Sequence, residues 1–314
     1  MSEYRIELLN DDNFKDLLPI YNNAVGNDVD VDTLRKKFNT QYTGFKNVGF
    51  IAYSPLNEPA AFYGVLPCWM FYKGKRILVA QSGNTMTHTK HRRKNLFVIL
   101  AEATYDYCRK IGIEMVFGFP NEFSYPGFVK KLNWTHQENI QAYITKTLCI
   151  PHIRITNILK INPEKHIQWA NFVFGFLPKG NAPFKSIQQM FCENKMDRSK
   201  EFFDYKTYHS KHLVKINGKN IWFKCNNMYV LVGDIEECTD AEFYAIVKKL
   251  HRYCFWAGIP HLRFHISPNS HLEKLLQTIA IKYDKSYPIG YVNLGNIDID
   301  MKTIKFTLAD YDTF

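Results

Sequence analysis

Apolar and polar residues in the first 150 positions alternate between strand-like and helix-like periods. A short strand at Tyr4–Leu9 precedes apolar residues at helical spacing from Phe14 to Tyr21, and the same spacing returns over Val31–Phe38. Three extended runs separated by turn residues follow, at Val48–Tyr53, Ala60–Tyr72 and Arg76–Thr87. The pattern predicts two short helices and then an antiparallel meander.

A long amphipathic helix is predicted next, over Lys94–Lys110, and Gly112 ends it in the manner of a helix C-cap. The elements predicted after it are a strand, a short helix and a second strand, at Ile113–Phe119, Tyr125–Leu132 and Asn139–Thr147. Residues 1–150 therefore contain enough elements for one complete mixed domain.

The last hundred residues repeat this order. Thr239 and Glu242 form a capping-box sequence that begins a long helix. Gly258-Ile259, an extended run, Pro268-Asn269 and a short helix follow, as Gly112-Ile113 and Pro120-Asn121 do in the first half. We therefore predict an α+β fold of two tandem domains, each a mixed, mostly antiparallel sheet flanked by helices. The predicted boundaries are residues 1–150, a connecting segment at 151–215 with one helix at Pro163–Phe176, and residues 216–314.

The amino-acid composition adds one further observation, which is the net positive charge of the chain. Lys and Arg number 40 against 30 Asp and Glu, a net charge of +10 and a pI near 9.1, which favours an anionic partner such as a phosphate compound or the face of an anionic membrane. No apolar run approaches the roughly 18 residues of a spanning helix, and the N-terminus lacks the apolar region of a signal peptide. The seven scattered cysteines form no CxxC pair, which indicates reduced thiols and a cytoplasmic location.

A cationic turn between a strand and the long helix carries the most chemical information. Four cationic side chains lie between Thr89 and Asn95, namely Lys90, Arg92, Arg93 and Lys94. A helix N-terminus offers unpaired N–H groups and the positive end of the helix dipole, so this turn predicts a phosphate-binding site. A solvated basic loop or a nucleic-acid patch is the alternative that this segment alone leaves open.

The segment from Arg92 to Phe97 resembles the phosphate-binding motif of the GNAT acyltransferase superfamily, which reads Arg/Gln-x-x-Gly-x-Gly/Ala. Asn95 stands at the first Gly position and Phe97 at the second small position. The order of elements over residues 4–147 is also that of a GNAT domain. Gly118–Ser124 and Lys130–Trp134 are most similar to tandem-domain members from bacterial surface-polysaccharide gene clusters.

This resemblance implies that acetyl-CoA is the acyl donor and that the acceptor is a small amine. The residues implied to bind the donor lie at the strand end, the cationic turn and the next strand end: Met86, Thr87, Arg92, Arg93, Lys94, Asn95, Leu96, Phe97 and Asn121. The second repeat carries carboxylates at the corresponding place, namely Asp234, Glu236, Glu237 and Asp240. Because carboxylates repel a pyrophosphate, we expect a degenerate second domain and one bound CoA per chain.

Acyl transfer to an amine needs a base for the ammonium proton and an acid for the leaving thiolate. The family's usual tyrosine position falls on Phe128 or Val129, so Tyr125, one turn earlier, is the candidate acid. Glu114 and His88 are candidate bases. The third candidate base is the terminal carboxylate of Phe314, because some tandem GNAT enzymes use this group. Apolar and polar residues alternate over Thr303–Phe314, which predicts a closing strand that ends in this carboxylate.

Three functions remain open from the sequence. The first is a CoA-dependent N-acyltransferase that acts on an amino sugar or a similar amine. The second is a Fem-like aminoacyltransferase that takes its donor from charged tRNA, and the third is a non-catalytic binding module. No HExxH or His/Cys cluster is present, so no metal is expected, and nucleic acid is the less favoured partner.

Overall fold

The computed structural model describes residues 4–26, 30–151, 158, 164–208 and 211–314. Its strands are β1 (Arg5–Leu8), β2 (Gly49–Tyr53), β3 (Pro59–Tyr72), β4 (Lys75–Thr87), β5 (Met115–Gly118), β6 (Thr135–Lys146), β7 (Lys195–Met196), β8 (His212–Ile216), β9 (Lys219–Cys225), β10 (Tyr229–Ile235), β11 (His261–Ile266) and β12 (Ile281–Asn293). Its helices are α1 (Leu17–Val25), α2 (Val31–Phe38), α3 (Leu96–Lys110), α4 (Tyr125–Lys131), α5 (Glu164–Phe174), α6 (Lys200–Tyr205), α7 (Asp240–Ala257) and α8 (His271–Ile279).

These strands form one continuous sheet in the order β1-β2-β3-β4-β5-β12-β6-β11-β10-β9-β8, and β7 pairs with β3 beside it. All neighbours are antiparallel except two pairs. β4 runs parallel to β5, and β10 runs parallel to β11. Each parallel pair flanks one of the two long helices, α3 or α7, so the predicted α+β class and mixed, mostly antiparallel sheet are confirmed.

The predicted internal repeat is present, and its two copies exchange strands. The order β2-β3-β4-α3-β5-α4-β6 matches β8-β9-β10-α7-β11-α8-β12 element by element. Gly112 and Gly258 both have positive φ, 79° and 71°, after the long helices. β12 from the second copy lies between β5 and β6 of the first, and β6 in turn pairs with β11 of the second. Each half therefore receives a central strand from the other.

Helices cover both faces of the first half of the sheet. α3 packs on one face, where Leu100, Ala101 and Trp134 are buried in one cluster. α1 and α2 pack on the opposite face, where Phe14 and Phe38 are fully buried. In both helices the apolar residues that predicted the helical period are the ones that pack on the sheet. α5, α7 and α8 share a third core with the second half.

The predicted closing strand at Thr303–Phe314 is wrong. The chain forms two 3-10 turns, at Met301–Thr303 and Leu308–Asp310, and only Thr307 bridges to a strand, at Ile266. The backbone N–H of Thr307 donates to Asp310 Oδ2 (2.8 Å), and this capping contact turns the chain before a ladder can extend. Thr307–Phe314, here called the C-terminal segment, is nonetheless largely buried, and the side chain of Phe314 is fully buried.

The predicted connecting segment holds more structure than the one predicted helix. Helix α5 begins and ends within the predicted Pro163–Phe176, but β7 and α6 follow it. α6 brings Phe202 and Phe203 onto the central core together with Phe306 and Phe314 of the C-terminal segment. The connecting segment therefore packs against the same face of the sheet as the C-terminal segment.

Candidate active site

Strands β4 and β5 separate at the centre of the sheet. They pair only at Ala80–Val116 and Gln81–Phe117, after which β5 ends at Gly118 and β4 continues for six residues. Across β4, the register with β3 shifts between Ser82 and Thr85, which places a β-bulge at residues 83–84. The gap between the two strands opens into a cleft of about 340 Å³. One edge of β4 faces this cleft.

The cationic turn lies between the end of β4 and the start of α3. Thr89–His91 form a 3-10 turn, and Arg92, Arg93 and Lys94 are exposed. Within the described residues, no salt bridge engages these three side chains. Asn95 is left-handed with φ 60°, and its side chain does not cap α3. The turn thus presents cationic side chains beside an uncapped helix N-terminus, as the phosphate-site prediction requires.

Three of the predicted donor-binding residues turn their side chains into the core. Met86 and Leu96 are buried, on opposite faces of the sheet. The Phe97 ring packs on Phe128, with ring centroids 5.1 Å apart, and lies against Gly127. These residues can contact a bound molecule only through the backbone. The large side chain at position 97 therefore points away from the turn and does not fill a phosphate site.

Asn121 lies at the mouth of the cleft, just after β5. Its Oδ1 accepts hydrogen bonds from the backbone N–H groups of Phe123 (3.0 Å) and Ser124 (2.9 Å), in the turn that leads into α4. The amide Nδ2 is therefore the group that Asn121 offers to the cleft. Tyr125, one turn further, lines a neighbouring cavity of about 580 Å³ and packs edge-on against His136.

The structure does not bring the two predicted side-chain bases to the cleft. Glu114 lies at the opposite end of β5 from the cleft, where its Oε2 accepts a hydrogen bond from the backbone N–H of Ile297 (3.3 Å). His88 accepts from the backbone N–H of Lys90 (3.3 Å) and lies outside the cleft lining. Partial burial, with the nearby His91 and Lys90, lowers the pKa of His88.

Phe314 also lies outside the cleft, but the residues just before it form one wall of the cleft. The Phe314 ring packs perpendicular to Trp222 at 5.0 Å and fills the space that a side chain on Gly233 would need. Tyr311, Asp312 and Thr313 line the cleft itself. The C-terminal segment thus reaches the cleft through the three residues before Phe314, and not through Phe314 itself.

The side chain of Lys37 links this wall of the cleft to the β-bulge in β4 through two hydrogen bonds. The buried ammonium of Lys37 donates to Asn84 Oδ1 (2.6 Å) and to Asp312 Oδ2 (2.7 Å). Asp310, by contrast, is buried beside Arg198 and does not line the cleft. Asp312 is therefore the carboxylate that the C-terminal segment contributes to the site.

Sequence reasoning missed Tyr287, which lines both the cleft and the neighbouring cavity. Arg263 Nη2 donates a hydrogen bond to its hydroxyl (3.0 Å), and the His265 ring stacks on it at 4.9 Å. Burial lowers the pKa of His265 to about 3, so this ring is neutral near pH 7. Tyr287 reaches the first half on the exchanged strand β12, and no local sequence signal could have placed it there.

The corresponding place in the second half is closed. β10 and β11 pair over four positions, and Thr239 and Glu242 form both hydrogen bonds of a capping box at the start of α7. Asp234 is buried with Ser186 (2.6 Å) and Arg198 (3.1 Å) instead of facing a cleft. The C-terminal segment occupies the space beside β10. Packing between β10 and β11 therefore disfavours a bound CoA, in addition to the repulsion from the carboxylates that the sequence places there.

No group of three His, Cys, Asp or Glu side chains that could hold a metal occurs among the described residues. In the same part of the chain, no helix combines the length and the apolar character needed to cross a membrane.

The sequence model of the acetyltransferase (GNAT) domain matches residues 5–137. No curated protein sequence is significantly similar to the chain. Among solved structures, a GCN5-related N-acetyltransferase from Kribbella flavida is similar at TM-score 0.59 and 9% identity, over 92% of this chain and 71% of that one. A GCN5-related N-acetyltransferase from Anabaena variabilis gives TM-score 0.59 at 12% identity, over 93% and 73%.

A third similar structure is the glucosamine N-acetyltransferase region of a fungal multi-domain β-N-acetylglucosaminidase. Its TM-score is 0.52 at 11% identity, over 93% of this chain and 38% of that one. These likenesses extend the fold beyond the matched domain to nearly the whole chain. The acetyltransferase (GNAT) domain model thus accounts for residues 5–137, and the chain as a whole has the fold of the GNAT structures to which it is similar.

Proposed function

We propose that the protein is an acyl-CoA-dependent N-acyltransferase with acetyl-CoA as the donor. The observation that carries the proposal is the cleft between β4 and β5 beside the uncapped, cationic start of α3. In this arrangement the pyrophosphate lies at Arg92–Phe97, and the pantetheine arm extends along the free edge of β4 toward Asn121. The thioester then lies in the cleft, and one CoA binds per chain because the second half is closed.

The chemistry needs two proton transfers. The acceptor nitrogen attacks the thioester carbonyl, the C–N bond forms as the C–S bond breaks, the nitrogen gives up a proton to a base, and the leaving thiolate takes one from an acid. Tyr287 is our first candidate for the proton that the thiolate takes, because this residue lines the cleft and Arg263 orients its hydroxyl. Tyr125 is the second candidate, since its cavity shares Pro120, Asn121 and Tyr287 with the cleft.

The acceptor is proposed to be a small amine, with an amino sugar as the first class to test. Asp312 lines the cleft, and its Oδ1 is the carboxylate oxygen that Lys37 does not contact, which suits an ammonium group before that group loses its proton. The glucosamine activity named for the fungal structure supports the amino-sugar class. The likeness to enzymes of surface-polysaccharide gene clusters is in line with this class and stays a prediction.

Calorimetry with acetyl-CoA tests the donor. Arg92→Glu/Lys94→Glu should weaken binding by about 1–3 kcal/mol, the scale of charge-assisted contacts, and the stoichiometry of the unchanged protein should be one. Lys248→Glu/Arg252→Glu, which makes the same charge change on the exposed face of α7, is the matched control and should bind normally. Equal affinity in both variants would refute the assignment of the turn, and binding of charged tRNA without CoA would favour the Fem-like alternative.

A thiol-release assay over free and nucleotide-linked amino sugars tests the acceptor and the acid. Tyr287→Phe should lower kcat by about 10²–10⁴-fold, the range for loss of a general acid, while acetyl-CoA affinity stays unchanged. Tyr125→Phe is the comparison at the neighbouring cavity. If only Tyr125→Phe lowers kcat, the roles of the two tyrosines are reversed.

A further inference from the structure

An exposed group of large apolar side chains lies on the outer surface of the second half, away from the cleft. It consists of Leu148, Trp169, Phe172, Phe176, Phe255 and Trp256, and we call it the aromatic patch. The exposed fraction of these residues ranges from 38% for Phe255 to 88% for Leu148. A monomeric protein normally exposes such side chains singly, so a contiguous group indicates a contact surface.

Contacts between helices α5 and α7 make the patch continuous. Trp169 Nε1 donates to the backbone carbonyl of Trp256 (2.9 Å). The Trp169 and Phe172 rings are 5.7 Å apart, and the Phe172 and Phe176 rings are 5.0 Å apart. The backbone N–H of Ile150 donates to Phe255 (3.1 Å), which brings the chain around Leu148 to the same edge.

Helix α5 has apolar side chains on two of its faces. A helix that packs on a core with one face and contacts water with the other is normally apolar only on the core-facing side. Its inner face buries Ala170, Val173 and Phe174 in the core of the second half. Its outer face carries Trp169 and Phe172 at a spacing of three residues, and both are exposed. An exposed apolar face opposite the core-facing one indicates that a second apolar surface contacts this helix.

The charges around the patch are mainly positive. Lys165 lies one turn before Trp169 on the outer face of α5, and Lys248 and Arg252 precede Phe255 and Trp256 on the exposed face of α7. Along α5 and the last three turns of α7, both fully described, Glu164 is the one carboxylate. An apolar centre with a cationic rim is complementary to an anionic lipid surface, where Trp and Phe enter the headgroup region and Lys and Arg meet phosphates.

We propose that the aromatic patch docks the protein peripherally on an anionic membrane. Two patches of the same chain would bring their cationic rims together, which disfavours a second copy as the occupant. The patch lies on α5, α7 and the chain after β6, whereas the cofactor turn lies at the start of α3. Docking and acyl transfer are therefore separable properties, and this inference does not depend on the proposed function.

Co-sedimentation with vesicles tests the proposal. We expect the protein to bind vesicles of phosphatidylcholine and phosphatidylserine in equal parts, and to bind phosphatidylcholine alone far less. Phe172→Ser/Trp256→Ser should lower the partition coefficient by about tenfold or more, because both side chains would lose their contact with the headgroup region. The matched control is Leu56→Ser/Phe191→Ser, which removes two apolar side chains elsewhere that are even more exposed and should leave binding unchanged.

The charge variants separate this site from the cofactor site. Lys248→Glu/Arg252→Glu should lower binding to the anionic vesicles by about tenfold or more, since each cation near such a surface contributes about 1 kcal/mol. Arg92→Glu/Lys94→Glu should leave vesicle binding unchanged. Equal loss in both pairs, equal binding to both vesicle types, or a patch-dependent dimer or RNA complex in the absence of vesicle binding would overturn the proposal.

Discussion

Arg198 is buried between two carboxylates that join the second half of the sheet to the C-terminal segment. Its Nε lies 3.1 Å from Asp234 Oδ2 and its Nη1 lies 2.8 Å from Asp310 Oδ1. The three side chains are 5%, 0% and 1% exposed, respectively. We expect Arg198→Met to destabilise the protein more than any substitution of an exposed cation, because it removes the one cation that contacts both of these buried carboxylates.

The magnitude follows from what remains after the change. Asp234 keeps the hydrogen bond from Ser186 (2.6 Å), and Asp310 keeps the one from the Thr307 backbone (2.8 Å), but neither partner carries a charge. Removing one partner of a buried ion pair costs about 3–5 kcal/mol, a large share of the roughly 5–15 kcal/mol that stabilises a typical domain. The loss should shrink as the pH falls, because burial raises the pKa of Asp234 and protonation of its carboxylate relieves part of the penalty.

Urea denaturation followed by circular dichroism measures the free energy of unfolding, and a second substitution makes the test sharper. Asp310→Asn should destabilise the wild-type protein, since Arg198 loses an ionic partner. The same substitution should stabilise the Arg198→Met protein, because it removes an unpaired charge and keeps the oxygen that Thr307 contacts. If Asp310→Asn has the same sign in both backgrounds, the reasoning about buried charge is refuted.

Two further predictions concern groups near the site. Burial lowers the pKa of Lys206 to about 7 and that of Lys211 to about 6, so unfolding takes up protons between those values and the ordinary value of 10.5. The free energy of unfolding should therefore rise with pH across that window, and Lys206→Met/Lys211→Met should flatten the rise in urea titrations at several pH values. At Asn95, where φ is 60°, Asn95→Val should cost about 1–2 kcal/mol of strain while Asn95→Gly costs little. Equal melting temperatures for the two Asn95 variants would contradict the left-handed assignment.

Local patterns predicted the elements and the turn but not the residues that surround the cleft. The capping box at Thr239, the stop at Gly258 and the left-handed tolerance of Asn95 are short-range features, and each has the predicted geometry. Tyr287 and Asp312 reach the cleft through pairings between residues far apart in the chain. Periodicity carries no information on such pairings. For the same reason Glu114 looked like a candidate base, although β5 places it at the end away from the cleft.

The alternation in the C-terminal segment shows a different limit. Ile304, Phe306 and Leu308 are all buried, as the alternating pattern predicts. The backbone nevertheless turns at Thr307, because the side chain of Asp310 competes for its N–H group. The alternating pattern therefore predicted correctly which side chains are buried, but it did not predict whether the backbone pairs as a strand.

The strand exchange has a consequence for synthesis of the chain. A nascent first half that has reached residue 150 contains β4, β5 and α3, but the position between β5 and β6 stays empty until β12, residues 281–293, has left the ribosome. Pairings over such long separations in sequence form slowly, because the intervening chain must be ordered first. The cleft wall that includes Tyr287 is thus completed late, and a chain interrupted between the two repeats would display unpaired strand edges, the kind of surface on which chaperones and proteases act.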